Sequence, residues 1–228
     1  MNVFETWQET LYKYNNHIAQ FLVGDEEYKA ILVNGTKKEI EQVISILLDI
    51  PFNRFIEELK TLYIEPSFVP SEIVQFSNYE NAVIRLPEIL DFPPYKLCFD
   101  EIGKLLHNSK SEGACKKYGE NHAKLAACLD LVTIERHGSC VVKNTALGKY
   151  LTSIPMKDKK ELFRRLFLRD RFIQFIVQKA LSGQVKYVDT VKCLSLTTAN
   201  RRRSNVKCVL EEILKNTDYE YVLDNIIW

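Results

Sequence analysis

Three consecutive arginines, Arg201, Arg202 and Arg203, stand between Asn200 and the pair Ser204-Asn205, with Lys207 just beyond. These residue types suit a polyanion. A guanidinium pairs bidentately with phosphate or with the guanine edge, and a carboxamide pairs with the adenine edge. A second, thinner set lies upstream: Lys116, Lys117 and Lys124 as phosphate partners, and Arg136 with His137 at what looks like a loop tip.

The stretch Thr197–Leu214 separates these roles by helical geometry. Val206, Val209, Leu210, Ile213 and Leu214 recur at i, i+3, i+4, i+7 and i+8, which predicts a helix whose C-terminal half is anchored in a core. At roughly 100° per residue, Arg202 and Arg203 fall within about 60° of Val206, on the two shoulders of the buried face. They are expected to grip flanking phosphates with their stems packed on the domain. Asn200, Arg201, Ser204, Asn205 and Lys207 point outward, so Arg201 with Asn200 or Asn205 is expected to read bases. In the upstream set, His122 falls on the same side as Leu125, Ala126, Leu129 and Val132 and reads as a hydrogen-bonded structural histidine.

Patterns for bond-breaking chemistry are sparse. The sequence contains no P-loop, GxSxG, HExxH or GxGxxG pattern, and none of its four histidines has a plausible nucleophilic Ser or Cys partner nearby in sequence. The nearest approach to a metal-nuclease set is Asp49 followed by Glu58-Leu59-Lys60. Phe52–Tyr63 has helical periodicity, however, which sends Glu58 and Lys60 to different faces. No cofactor or metal is expected.

These side chains need elements to hold them. Glu27–Asn34 has strand-like composition and ends at an Asn34-Gly35 turn signal. Thr36 is the expected N-cap of a helix running to about Ile50, and a second helix covers Phe52–Tyr63. Asp91-Phe92-Pro93-Pro94 reads as a stiff boundary. Beyond it, a helix is expected at Phe99–His107, a polar break at Ser109–Gly113, and a helix from about Gly119 to Leu131. Two β-branched runs across Val132–Val142 predict a hairpin turning near Gly138. Asn144 or Thr145 then caps a short helix, Ala146–Leu151. Helices at Lys157–Leu168 and Arg171–Leu181, closed by Gly183, precede a short helix or strand at Tyr187–Leu194. Ser195-Leu196 reads as a turn before the helix Thr197–Leu214, and Tyr219–Leu223 as an alternating strand.

Composition sets the frame. Of 228 residues, 46% are hydrophobic and 27% charged, as in folded globular chains. No apolar run approaches the roughly 20 residues a membrane span requires. The opening Met-Asn-Val-Phe-Glu-Thr-Trp lacks a basic stretch before an apolar one, so no signal peptide is expected. Cysteines at 98, 115, 128, 140, 193 and 208 form no CxxC pair; they are expected to be small buried hydrophobes in a reduced, cytoplasmic protein. The net charge of +1 hides an asymmetry. Residues 1–95 hold 7 Lys and Arg against 15 Asp and Glu, and residues 96–228 hold 24 against 15. A basic half that meets a polyanion is the expectation.

Tyr118–Val132 (YGENHAKLAACLDLV), followed by Asn144–Leu151 (NTALGKYL), resembles a winged-helix unit of bacterial restriction and phage-defence proteins. Leu196–Leu214 (LTTANRRRSNVKCVLEEIL) resembles a helix from the target-recognition regions of restriction endonucleases, in which a Thr-x-x-Arg-Arg pattern leads into an apolar run. Where that family carries a tryptophan or another bulky residue late in the helix, this chain has Val209-Leu210 and Ile213-Leu214. No part of residues 1–95 shares in the resemblance.

The resulting expectation is a mainly α protein with small β-wings (α+β) in three consecutive parts. These are an acidic mixed domain at 1–95, a winged-helix module at 96–155 and a helix-turn-helix or winged-helix module at 156–228. The resemblance implies sequence-specific binding of duplex DNA as the recognition component of a restriction or defence system, with a nuclease or other protein subunit meeting residues 1–95 and no membrane association. Alternatives are a metal-dependent type II restriction endonuclease with a diverged centre in residues 1–95, a transcriptional regulator, and a protein-interaction subunit.

Overall fold

Local signals at the helix starts are used as the sequence suggests. Thr36 and Glu39 form a reciprocal capping box: the Glu39 carboxylate accepts from the Thr36 backbone N–H at 2.7 Å, and the Thr36 hydroxyl accepts from the Glu39 N–H at 3.3 Å. In the computed structural model, which describes residues 16–107, 111–137 and 139–228, the described chain is mainly helical with a few short strands. Among the described residues, no helix is long and apolar enough to cross a membrane. The leader reading at Met1–Trp7 and part of the Ser109–Gly113 break lie outside the described residues.

The chain packs as two compact units, each drawn from separated segments. Of the described residues, the first takes 16–28, 45–73 and 161–228, and the second 29–44, 74–107, 111–137 and 139–160. The expected boundary at Asp91–Pro94 falls inside the second unit, and residues 1–95 are divided between the two. The charge asymmetry along the sequence is diluted accordingly. The described residues of the first unit hold 14 Lys and Arg against 16 Asp and Glu, those of the second 15 against 12.

Helix α1 covers residues 16–23, α2 Glu26–Asn34, α3 Lys37–Asp49 and α4 Phe52–Thr61. The expected strand at 27–34 is therefore a helix. Its buried residues, Tyr28 and Leu32, are four apart rather than alternating, and the Asp25 carboxylate accepts from the Glu27 N–H at 2.9 Å to start the turn.

In the second unit a π-turn at Asn81–Arg85 runs into α5 (Leu86–Leu90), then β1 (Leu97–Cys98), α6 (Phe99–Leu106), α7 (Glu112–Cys128), the hairpin β2 (Val132–His137) and β3 (Ser139–Asn144), and α8 (Ala146–Ser153). The sheet is antiparallel in the order β1-β3-β2, with Leu97 opposite Val142 and Ile134 also opposite Val142. Helix α7 begins seven residues before the expected Gly119, capped by Ser111. Gly113 is the second residue of α7 and Gly119 lies in its interior. At Gly119 the reason is contact, since a Cβ there would lie 1.9 Å from the Phe99 carbonyl oxygen of α6. Gly103 of α6 is equally constrained, its would-be Cβ 1.8 Å from the Cys115 carbonyl oxygen. Two glycines thus let the α6 and α7 backbones touch. Thr145 caps α8, its buried hydroxyl accepting from Gly148 N–H at 2.9 Å and donating to the Asp130 carbonyl at 2.6 Å.

In the first unit, α1, α4, the later part of α9 (Met156–Phe167), α10 (Arg171–Ser182) and α12 (Leu196–Leu214) enclose a core rich in phenylalanine, including Phe21, Phe55, Phe163, Phe167 and Phe172. Asp170 caps α10, and Gly183 at φ 145° closes it. A two-residue strand β4 (Val185–Lys186) leads to α11 (Tyr187–Thr190). Ser195, read as part of a turn, is the N-cap of α12. The expected strand at Tyr219–Leu223 is a 3-10 turn at Glu220–Leu223, pinned by the Glu220 carboxylate accepting from Asn216 N–H at 2.9 Å. Strand β5 (Ile226–Ile227) follows and pairs in parallel with β4. Of the six cysteines only Cys115 is buried; Cys128 and Cys193 are exposed and the other three are intermediate.

Candidate nucleic-acid interface

Helix α12 divides along its length as the apolar spacing predicts. Val206, Val209, Leu210, Ile213 and Leu214 are fully buried. In the first half Asn200, Arg201, Arg203 and Ser204 are exposed, and so is Lys207 just past the middle. The start of the helix is fixed twice: the Ser195 hydroxyl accepts from Thr198 N–H, and the buried Tyr187 hydroxyl donates to the Ala199 carbonyl at 3.1 Å. A rigid helix therefore presents two free-standing guanidinium groups and an ammonium group on its outer side.

Two residues of the expected reading set are placed differently. Asn205 is 8% exposed, so it does not face outward as a base reader. Burial extends round α12 from Val206 to the side that carries Asn205. Arg202 is half-buried, and its Nη1 donates to the Ile73 carbonyl at 2.8 Å and also to the Pro70 carbonyl. It is a strap between α12 and the 70–73 segment rather than a phosphate grip. Burial depresses its guanidinium pKa from the ordinary value. Arg203, placed on a shoulder by helical angle, is instead exposed. Lys207 lies 3.9 Å from Glu211, a loose exposed pair of small energetic weight.

The upstream set lies in the second unit. On α7 the buried stripe runs through Cys115, Gly119, His122 and Ala126. Lys117, Glu120 and Lys124 form the opposite stripe, and the structure joins them. Glu120 Oε2 accepts from Lys117 Nζ at 3.0 Å and Oε1 from Lys124 Nζ at 2.6 Å. The two lysines, Lys124 first, hold the Glu120 carboxyl below the usual carboxylate range. Sequence reasoning passed over Glu120, although Lys-x-x-Glu-x-x-x-Lys is the i,i+3/i,i+4 spacing that brings such groups together on a helix. Lys116 is exposed beside this stripe, and Arg136 is exposed on β2 close to the hairpin turn. The His137 side chain lies outside the described residues. Behind Arg136, Lys143 of β3 bridges both oxygens of Glu135 at 2.8 and 2.9 Å.

His122 is fully buried, as a structural histidine should be. Its Nε2 accepts from the Asn78 backbone N–H at 3.2 Å, which leaves Nδ1 to carry the proton and donate to the Tyr118 carbonyl at 2.7 Å. Tyr118 is stacked between His122 and His107 at ring separations of 3.9 and 4.3 Å, and its hydroxyl accepts from Asn81 Nδ2 at 2.8 Å. Burial pushes the His122 pKa below its ordinary value. The inner face of α7 is thus bolted to the 78–81 segment while its outer face stays free.

Glu58 and Lys60 fall on α4, where the intervening Leu59 is buried and Lys60 donates to Glu57 at 2.7 Å. Among the described residues, no three His, Cys, Asp or Glu side chains converge to hold a metal ion. No family model matches the chain, and neither a curated protein nor a solved structure matches it.

Proposed function

We propose that the chain binds duplex DNA in a sequence-specific manner and serves as the recognition component of a restriction or defence system. The observation that carries this reading is the division of α12, with the apolar face of its C-terminal half in the core and Asn200, Arg201, Arg203 and Ser204 exposed on its first half, Lys207 just beyond. A groove-reading helix is held at one end in this way and presents its N-terminal turns to the bases. Arg201 and Asn200 then take base edges, while Arg203 and Lys207 take phosphates.

The strand order of the second unit supports a companion module. Strand β1, helices α6 and α7, and the β2–β3 hairpin follow one another, with β1 paired to β3. This order supports the winged-helix reading, under which α7 enters the major groove and the hairpin, with Arg136, follows the backbone. In the first unit β4, α11 and α12 repeat strand, short helix and long helix. There a parallel β4–β5 pair stands in place of a wing, so the reading for α12 is helix-turn-helix. The restriction or defence setting rests on the sequence resemblance of Tyr118–Val132 and Leu196–Leu214.

The test is binding to a labelled random-sequence duplex across a salt series, for wild type and Arg201→Ala/Arg203→Ala. Arg202 is left intact because it holds the fold. The expected log–log slope is about −0.9 per neutralised phosphate, flatter by about one in the double variant because of the pair only Arg203 takes a phosphate. Absence of binding at low salt, or an unchanged slope in the variant, overturns the reading.

A further inference from the structure

Resting on the duplex-binding reading, we propose that Glu120 is the α7 residue that selects cytosine in the target, and that in the free protein it restrains Lys117 and Lys124. Three features carry this. Glu120 sits between Lys117 and Lys124 on the outer side of α7, opposite buried Cys115 and His122, so a groove entered by this helix meets Glu120 along with the lysines. Both carboxylate oxygens are already engaged, one by each flanking lysine, at 2.6 and 3.0 Å. The two ammonium groups are half-exposed on long flexible stems, with side-chain exposures of 61% for Lys117 and 52% for Lys124, against 26% for Glu120.

That difference in reach assigns the roles. When phosphates approach, the lysines can swing outward to them, because exposed ion pairs are weak and readily exchanged. Glu120, shorter and more enclosed, stays at the centre and loses its partners. An ionised carboxylate accepts hydrogen bonds only, and the Lys124 and Lys117 charges help keep it ionised. In the major groove guanine offers two acceptors and thymine an acceptor and a methyl group, which repel or fail to pair with it. Adenine places its amino donor beside the N7 acceptor. Cytosine N4 is the donor with no adjacent acceptor on its own ring, and it pairs with the carboxylate best. On a sequence without cytosine at that position the freed carboxylate goes unpaired, so release of the lysines costs more and phosphate binding weakens. Glu120 thereby couples electrostatic grip to base identity.

The test uses the full chain. Duplexes retained from a random library are sequenced for wild type, Glu120→Gln and Lys117→Ala/Lys124→Ala, with thermal unfolding confirming that each is folded. Wild type is expected to enrich cytosine at one position, where replacing it lowers affinity on the order of tenfold. Glu120→Gln should lose that preference and gain adenine, and should bind bulk random duplex roughly threefold or more tighter at low salt. The double lysine variant should keep the cytosine preference with a flatter salt slope. Identical base preferences in wild type and Glu120→Gln, or unchanged or weaker random-duplex binding by Glu120→Gln, overturn the Glu120 proposal and leave duplex binding standing. Retention of no duplex by any of the proteins overturns both.

Discussion

Arg202 Nη1 donates to the carbonyl oxygen of Ile73 at 2.8 Å, across 129 positions of sequence. The same nitrogen reaches the Pro70 carbonyl, and Arg171 holds the same segment through the Glu72 carboxylate at 2.7 Å. Phe68 lies against Phe172 and Phe175, with Arg171 over its ring. The middle arginine of the triplet is a structural tie, so its neighbours alone are available to a ligand.

Removal of that tie should register as stability. Arg202→Ala leaves two carbonyls short of their donor and is expected to cost about 1–3 kcal/mol, read from the denaturant midpoint. Arg201→Ala and Arg203→Ala, at exposed positions, should stay within about 0.5 kcal/mol of wild type. Equal losses at all three positions would contradict the division of labour.

His122 predicts a pH dependence of definite sign. Its folded pKa lies below the ordinary 6.5 because burial disfavours the imidazolium. As pH falls below 6.5 the unfolded chain takes up a proton that the folded chain refuses, so stability is full above that value and declines beneath it, levelling off once pH passes the folded pKa. Urea unfolding at pH 7.5 and 5.5 should show this decline in wild type, and a smaller one in His122→Gln.

The glycines of α7 should respond with opposite signs. A Cβ at Gly113 meets nothing within 4 Å, so Gly113→Ala is expected to stabilise by up to about 1 kcal/mol through helix propensity. At Gly119 the same change drives a methyl group into the Phe99 carbonyl, and overpacking of about 1–3 kcal/mol outweighs the propensity gain. Thermal unfolding of the two single variants separates them.

Thr145 both caps α8 and satisfies the Asp130 carbonyl from a buried position. Thr145→Ala should cost about 1–2 kcal/mol and Thr145→Ser much less, since serine keeps the hydroxyl. Near-equal unfolding temperatures for wild type and Thr145→Ala would show the cap to be dispensable.

The sequence made visible what depends on near neighbours. Periodicity located α3, α4, α10 and α12, Thr36 and Thr145 announced their helices, and β-branched runs marked the β2–β3 hairpin. Two segments were misread for opposite reasons. Residues 27–34 carry β-branched side chains, yet the spacing of Tyr28 and Leu32 and the Asp25 cap decide for helix. In α7, Gly113 and Gly119 suggested a break, but contact with α6 requires a glycine at 119. Helical angle gave the anchored face of α12 correctly. It said nothing of the extra cover over Asn205, nor of the carbonyls waiting for Arg202, which lie some 130 residues away in sequence. The interleaving of the two units is likewise a matter of long-range packing that no local pattern records.

The interleaving sets an order of events during synthesis. All residues of the second unit lie within the first 160, so it can close while the remainder is still being made. The first unit has its opening segments in hand early but lacks α10, α12 and the β5 strand that pairs with β4 until residue 227 has emerged. Its apolar residues Phe21, Phe55, Ile56 and Leu59 are therefore made more than a hundred residues before α10 and α12, with which they share a core. The arginine-bearing helix α12 is made only after the whole of the second unit.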